Sequence, residues 1–189
     1  MKRTAALLTA VAATGVLTTT VVPTSPAGAA PVGTSGASAY CGITWGSLPR
    51  TAAAGTTSYL TDLRAGRHAC FDRLVVDVAG EARGYDVHYG AVAREGSGTP
   101  VPLRGTDLHV VVQSRAYDDN GAATYDPPRD SEAVDVAGFR TFRQVAWAGS
   151  FEGQSTIGLG VRARLPFRVT VLDGPGTGSR VVIDVAHAW

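Results

Sequence analysis

Lysine is almost missing from this sequence: Lys2 is the only one, so nearly every positive charge is an arginine. We read that as a bias toward GC-rich codons, without functional content. Long Leu-, Glu- and Lys-rich stretches are also absent, which argues against a helical bundle. Neither charge sign dominates. The formal net charge is +1 and arginines and carboxylates are interspersed, whereas a protein that neutralises several phosphates needs a one-sided surplus of cations. Nucleic acid is therefore not an expected partner. Cysteine is limited to Cys41 and Cys70, and neither has a second cysteine at the two-residue spacing that zinc sites favour. The motifs of common hydrolases are missing too. The nearest approach to a serine-nucleophile elbow, Gly96-Ser97-Gly98, lies in a loose Gly/Pro loop. The four histidines, His68, His88, His109 and His187, are scattered one per predicted strand, with no helical His-Glu-x-x-His. No metal and no cofactor is expected.

What is present points to β structure. The 189 residues include 23 Gly and 10 Pro, a turn-rich composition in a chain long enough to bury its own core. The N-terminus reads as a signal peptide, residues 1–29. Lys2 and Arg3 form its basic start, an apolar stretch diluted by threonine follows, and Ala27-Gly28-Ala29 supplies the small-x-small cleavage site. An uncleaved membrane anchor is the competing reading, weakened by those threonines and by early prolines. After cleavage no membrane contact is expected, and the formal charge moves from +1 to −1. Residues 30–39 are small and polar and read as a flexible lead-in. In an exported chain, two cysteines default to one disulfide, Cys41 with Cys70, worth about 3 to 4 kcal/mol by loop closure.

The stretch FDRLVVDVA (71–79) organises the rest. Its core hexapeptide, Arg73 to Val78, returns near the C-terminus as Arg180 to Val185. Both copies are β-branched and alternate with period two. One face carries Leu74, Val76 and Val78, or Val181, Ile183 and Val185, and belongs in a core. The other carries Arg, Val, Asp in each copy. Antiparallel pairing with Val75 opposite Val182 sets Arg73 against Asp184 and Asp77 against Arg180, each pair worth roughly 0.2 to 1 kcal/mol.

Further strands are predicted over 42–48, 58–64, 85–89, 108–115, 141–147, 156–165 and 167–172. A loop is expected over 49–57, a turn at Ala65-Gly66, and a long irregular segment over 118–138. About eight to nine strands with half-buried alternation give an all-β fold, an antiparallel β-sandwich or flattened barrel.

These pieces carry a family resemblance. FDRLVVDV (71–78), FEG (151–153), TIGLGV (156–161), PFRVTVLDGP (166–175) and SRVVIDV (179–185) together resemble the AMIN-like domain of secreted and lipid-anchored proteins of GC-rich Gram-positive bacteria. That group is similar to the AMIN module of cell-wall amidases and secretins. The resemblance extends over residues 40–189. It implies a small β-sandwich with a part in peptidoglycan binding and envelope localisation. No amidase or secretin domain follows Trp189 here, and the lipid-attachment cysteine of many relatives is missing, so a free-standing secreted or wall-associated module is expected.

For a ligand site, the strand 156–165 offers the most. Gly158 and Gly160 leave its outer side bare, Arg162 and Arg164 project beyond them, and Trp147 with Phe151 flank the preceding turn. Aromatics and arginines beside a flat face would hold a carboxylate-bearing glycan such as peptidoglycan or a related polysaccharide. Trp45, His109 and Arg115 are weaker candidates. Two alternatives stay open: a wall hydrolase using Glu152 with the aspartates of the 118–130 loop as paired carboxylates, and a carrier holding a small ligand between its sheets. The Asp118-Asp119-Asn120-Gly121 stretch lacks the ligand spacing of an EF-hand loop and reads as a solvated acidic turn.

Overall fold

Period-two patterning becomes two antiparallel sheets. The computed structural model describes residues 38–53, 58–82 and 84–189; the predicted signal peptide and most of the lead-in lie outside them. In chain order the strands are β1 (Ser38–Tyr40), β2 (Ile43–Trp45), β3 (Arg50–Ala52), β4 (Tyr59–Arg67), β5 (Phe71–Ala79), β6 (Tyr85–Tyr89), β7 (Thr106–Val112), β8 (Phe142–Phe151), β9 (Gln154–Val161), β10 (Phe167–Asp173) and β11 (Ser179–Ala186). Eight of these have five residues or more. A four-stranded sheet has the order β10-β11-β5-β4, a five-stranded sheet the order β3-β6-β7-β9-β8, and β1 with β2 forms a small hairpin. The sheets pack face to face as a sandwich and do not close into a barrel.

The core follows from the alternation. Leu74, Val76, Val78, Val181, Ile183 and Val185 point inward from the four-stranded sheet and meet Val87, Leu108, Val110, Ile157 and Leu159 from the other. Phe142 and Phe167 fill the space between. The two related strands pair in the predicted register, Val75 opposite Val182, Arg73 opposite Asp184 and Asp77 opposite Arg180. Only the Arg73–Asp184 ion pair forms across that ladder. Asp77 turns instead to Arg64 of β4, at 2.5 Å.

One polar group sits inside the core edge. Asp72, fully buried, accepts hydrogen bonds from the backbone N–H of Thr141 (2.5 Å) and Phe142 (3.2 Å) and contacts His187 Nε2 at 3.1 Å. It ties the start of β5 to the start of β8 and to the residues after β11.

Several expected boundaries move. Ala65-Gly66 is not a turn: both residues lie in β4, and the chain reverses at 68–70, closed by His68 N–H donating to the Phe71 carbonyl at 2.9 Å. The 49–57 loop contains β3, a three-residue strand that takes up the edge of β6. The strand predicted to reach 165 ends at Val161, because the chain bends before Pro166, which lacks an N–H. The long segment 118–138 is irregular as expected, apart from one 3-10 turn at Asp130–Glu132, and its Ala133 N–H donates to the Val145 carbonyl at 2.8 Å, capping part of the β8 edge.

Candidate functional site

The outer face of the four-stranded sheet carries ordered rows of charged side chains. Ladder register lays three rows across it: Arg168, Asp184, Arg73 and Gly66; Thr170, Val182, Val75 and Arg64; Leu172, Arg180, Asp77 and Asp62. Asp184 is only 1% exposed and anchors the first row. Arg73 grips both its oxygens, Nε to Oδ1 at 2.6 Å and Nη2 to Oδ2 at 2.9 Å, while Arg168 donates to Oδ2 at 2.8 Å. One carboxylate thus orders two guanidiniums. Arg64 makes a similar fork on Asp77, at 2.5 and 2.7 Å. Hydrogen bonding to these aspartates raises the pKa of Arg73 and Arg64 further, so both stay cationic. Arg180 donates to the Asp173 carbonyl at 3.0 Å, and its buried Nε has no partner. The rows hold four arginines and three aspartates, and Asp173, which lines the wider cleft beside them, brings the charges into balance.

Aromatic rings extend the first row. Arg73 and Arg168 lie over Phe71, at 5.2 and 5.4 Å from the ring centre, and Arg168 also covers Trp45 at 5.3 Å. His68 stacks on Phe71 at 4.5 Å. Trp45 reaches this position because the Cys41–Cys70 disulfide fastens the β1–β2 hairpin beside the start of β5. Two clefts open on the face. One of about 240 Å³ is lined by Arg64, His68, Arg73, Leu172 and Arg180; one of about 960 Å³ runs on toward the 173–178 connection. They share Arg64 and Arg180 and together form a groove. Bidentate guanidiniums held by buried or half-buried carboxylates are preorganised, so little side-chain entropy is lost when a ligand adds a further bond.

A family model for the AMIN-like domain matches residues 58–187. The chain belongs to the AMIN-like domain family. No curated protein matches it. The match takes in β4 to β11, and so both sheets of this AMIN-like domain except the edge strand β3; that strand and the β1–β2 hairpin that carries Cys41 and Trp45 precede the matched residues.

The residues singled out from sequence do not converge. Trp147 is 7% exposed in β8, its ring edge-on to Tyr125 at 5.1 Å. Phe151, 46% exposed, lies at the end of β8 against Gly96. Glu152 is exposed on the β8–β9 turn, with a left-handed φ of 47°. Arg162 and Arg164 follow the opposite end of β9, about 26 Å away at roughly 3.3 Å per strand residue. Arg162 donates to the His187 carbonyl, and Arg164 lies over Tyr89 at 4.8 Å. Burial pushes the Tyr89 pKa up to about 12, and its hydroxyl donates to the Leu165 carbonyl at 2.7 Å, fixing the bend that carries both arginines.

The Gly158/Gly160 face is not bare. A Cβ at Gly160 would fall 2.4 Å from the Arg104 carbonyl, and one at Gly158 would fall 3.0 Å from Leu103. These glycines admit a covering loop, not a ligand. Trp45 is fully buried, and Arg115 is engaged by Tyr59 and Asp119. The histidines are less scattered than their spacing suggested. Register sets His88 opposite His109 with ring centres 5.0 Å apart, and Asp86 contacts His88 Nδ1 at 2.6 Å. Among the described residues no three metal-ligating side chains come together. The Asp118 turn is self-satisfied: its carboxylate accepts N–H groups from Ala122 and Asn120, which hold its pKa below the usual range.

The groove residues missed from sequence had a signal. Arg73, Asp77, Arg180 and Asp184 form the non-core face of the repeated hexapeptide, a face read only as an internal ion-pair ladder. Arg64 and Arg168 join it through neighbouring strands, which only the sheet order reveals.

Proposed function

We propose that this AMIN-like domain is a secreted, non-catalytic binding module of the cell envelope that holds a peptidoglycan or related polysaccharide strand in the groove across its four-stranded sheet. The observation that carries the proposal is the set of hydrogen-bonded arginines, Arg64, Arg73 and Arg180, that line a groove rather than a closed pocket, with Arg168 beside them on the carboxylate that also holds Arg73. A polymer needs an open-ended site, and hydroxyl-rich sugars and acidic groups on the wall peptide need ordered donors. The aromatic end at His68 and Phe71 adds a surface on which a sugar ring can rest. Family membership supports the envelope location. Among the described residues no helix is long and apolar enough to cross a membrane.

Co-sedimentation with purified peptidoglycan at several salt concentrations tests this. The wild-type protein is expected to pellet at low salt and to be released as salt rises, since screening weakens exposed charge contacts. The double variant Arg64→Gln, Arg180→Gln should remain in the supernatant while Arg162→Ala with Arg164→Ala still pellets. Equal pelleting of the groove variant and wild type would remove the groove from the proposal. Release of reducing sugar or free amino groups from the wall, abolished by Glu152→Gln, would replace binding by hydrolysis.

A further inference from the structure

A second cleft, of about 590 Å³, lies outside the groove, between the loop leading to Pro102 and the segment around Pro127, with Trp147 of β8 in its lining. This volume falls within the roughly 300 to 1,000 Å³ range of small-ligand pockets. An ion pair between Arg94 and Asp130, at 2.7 Å, ties the two loops together at the cleft. Pro102 and Pro127 contribute rigid walls with no N–H to offer. Two polar groups are left over. The indole N–H of Trp147 donates to no described residue and stays within reach of solvent. Arg129 is exposed and its guanidinium forms no hydrogen bond or contact ion pair with any described residue; Glu132, close enough to feel its charge, is taken by Arg104 at 2.6 Å. Two arginines and one aspartate line the cleft, so its lining carries one unmatched positive charge.

From this we infer that the cleft binds the C-terminal end of a short, uncharged peptide, the carboxylate on Arg129, a carbonyl on the Trp147 N–H and the aliphatic body against the proline walls. A ligand carbonyl can take the place of water on that donor. A free cation beside a satisfied ion pair selects one anionic group, not two. The site does not depend on the groove reading, and its residues lie on other elements.

The probe is N-acetyl-Ala-Ala with a free carboxylate, titrated into uniformly 15N-labelled protein, with its C-terminal carboxamide as the comparison. The Trp147 indole resonance, assigned from its loss in Trp147→Phe, should shift saturably with the acid, and the carboxamide should bind about tenfold more weakly. Arg129→Gln should weaken the acid about tenfold and leave carboxamide binding and thermal stability unchanged. Arg64→Gln with Arg180→Gln should leave the titration untouched, and Arg129→Gln should leave wall sedimentation untouched, so each site fails separately. No shift at 10 mM acid, equal response to acid and carboxamide, or an equal response to neutral N-acetylglucosamine would overturn the inference.

Discussion

Asp72 is the single residue whose loss should most weaken the fold. Its carboxylate is fully buried and serves three nitrogens: the N–H groups of Thr141 and Phe142 through Oδ2, and His187 Nε2 through Oδ1. His187 Nδ1 is buried without a partner among the described residues, and Nε2 is the ring nitrogen that faces the Asp72 carboxylate and donates to it. Asp72→Ala strands two backbone donors and one ring donor inside the protein. Each buried donor left unsatisfied costs about 1 to 3 kcal/mol, so three stranded together should cost at least about 3 to 5 kcal/mol. At roughly 2 to 4 °C per kcal/mol for a domain of this size, Tm should fall by about 6 to 20 °C. Asp72→Asn separates geometry from charge. Its carbonyl still accepts from Thr141 and Phe142, and its amide meets a His187 that can move its proton to Nδ1. The asparagine variant should therefore lose about 1 to 3 kcal/mol, clearly less than alanine. Urea unfolding followed by fluorescence, with the m-value checked for constancy, measures both. A loss under 1 kcal/mol for alanine, or equal losses for the two variants, would refute the reasoning.

Three further outcomes follow from the same geometry. Cys41→Ser with Cys70→Ser opens a loop of sequence separation 29 and should cost about 3 to 4 kcal/mol; unchanged urea midpoints would contradict it. Gly160→Ala drives a Cβ into the Arg104 carbonyl and should cost on the order of 1 to 3 kcal/mol through overpacking, with amide shifts along 103–105; a neutral substitution would mean the loop yields freely. His109 has its pKa lowered, chiefly by burial and then by His88, against the opposing pull of Glu95 and Asp86. A depressed histidine pKa means that the folded state favours the neutral ring, so its contribution is intact above the unfolded value of about 6.5 and is lost as pH falls through the folded value. His109→Gln should flatten the stability profile below pH 6.5, and parallel profiles would remove His109 as the cause.

Much of the sandwich was readable from the chain because period-two alternation has only one way to bury Leu74, Val76, Val78 and their counterparts at 181, 183 and 185. The β5–β11 register was readable for a second reason: the Arg-Val-Asp order is charge-complementary when reversed. That same logic could not say that Asp77 would choose Arg64, because β4's place beside β5 is a property of sheet order. The misplaced site has a similar cause. Gly158 and Gly160 signal close approach of backbone, and nothing in their local sequence distinguishes a ligand from the 103–104 loop that covers them. Arg162 and Arg164 continued the alternation on paper, but Pro166 and the Tyr89–Leu165 hydrogen bonds turn the chain away. His88 and His109 looked isolated because twenty-one positions separate them in the chain and only strand pairing brings their rings together.

Whether ordered arginines on one sheet face hold a wall polymer is read at the side chains themselves by a 15N titration with solubilised peptidoglycan fragments that follows the arginine Nε–H signals. Saturable shifts are expected at Arg64, Arg73, Arg168 and Arg180, fading as salt increases. Shifts confined to Arg162, Arg164 and the 151–153 turn, or no shifts under any salt condition, would contradict it.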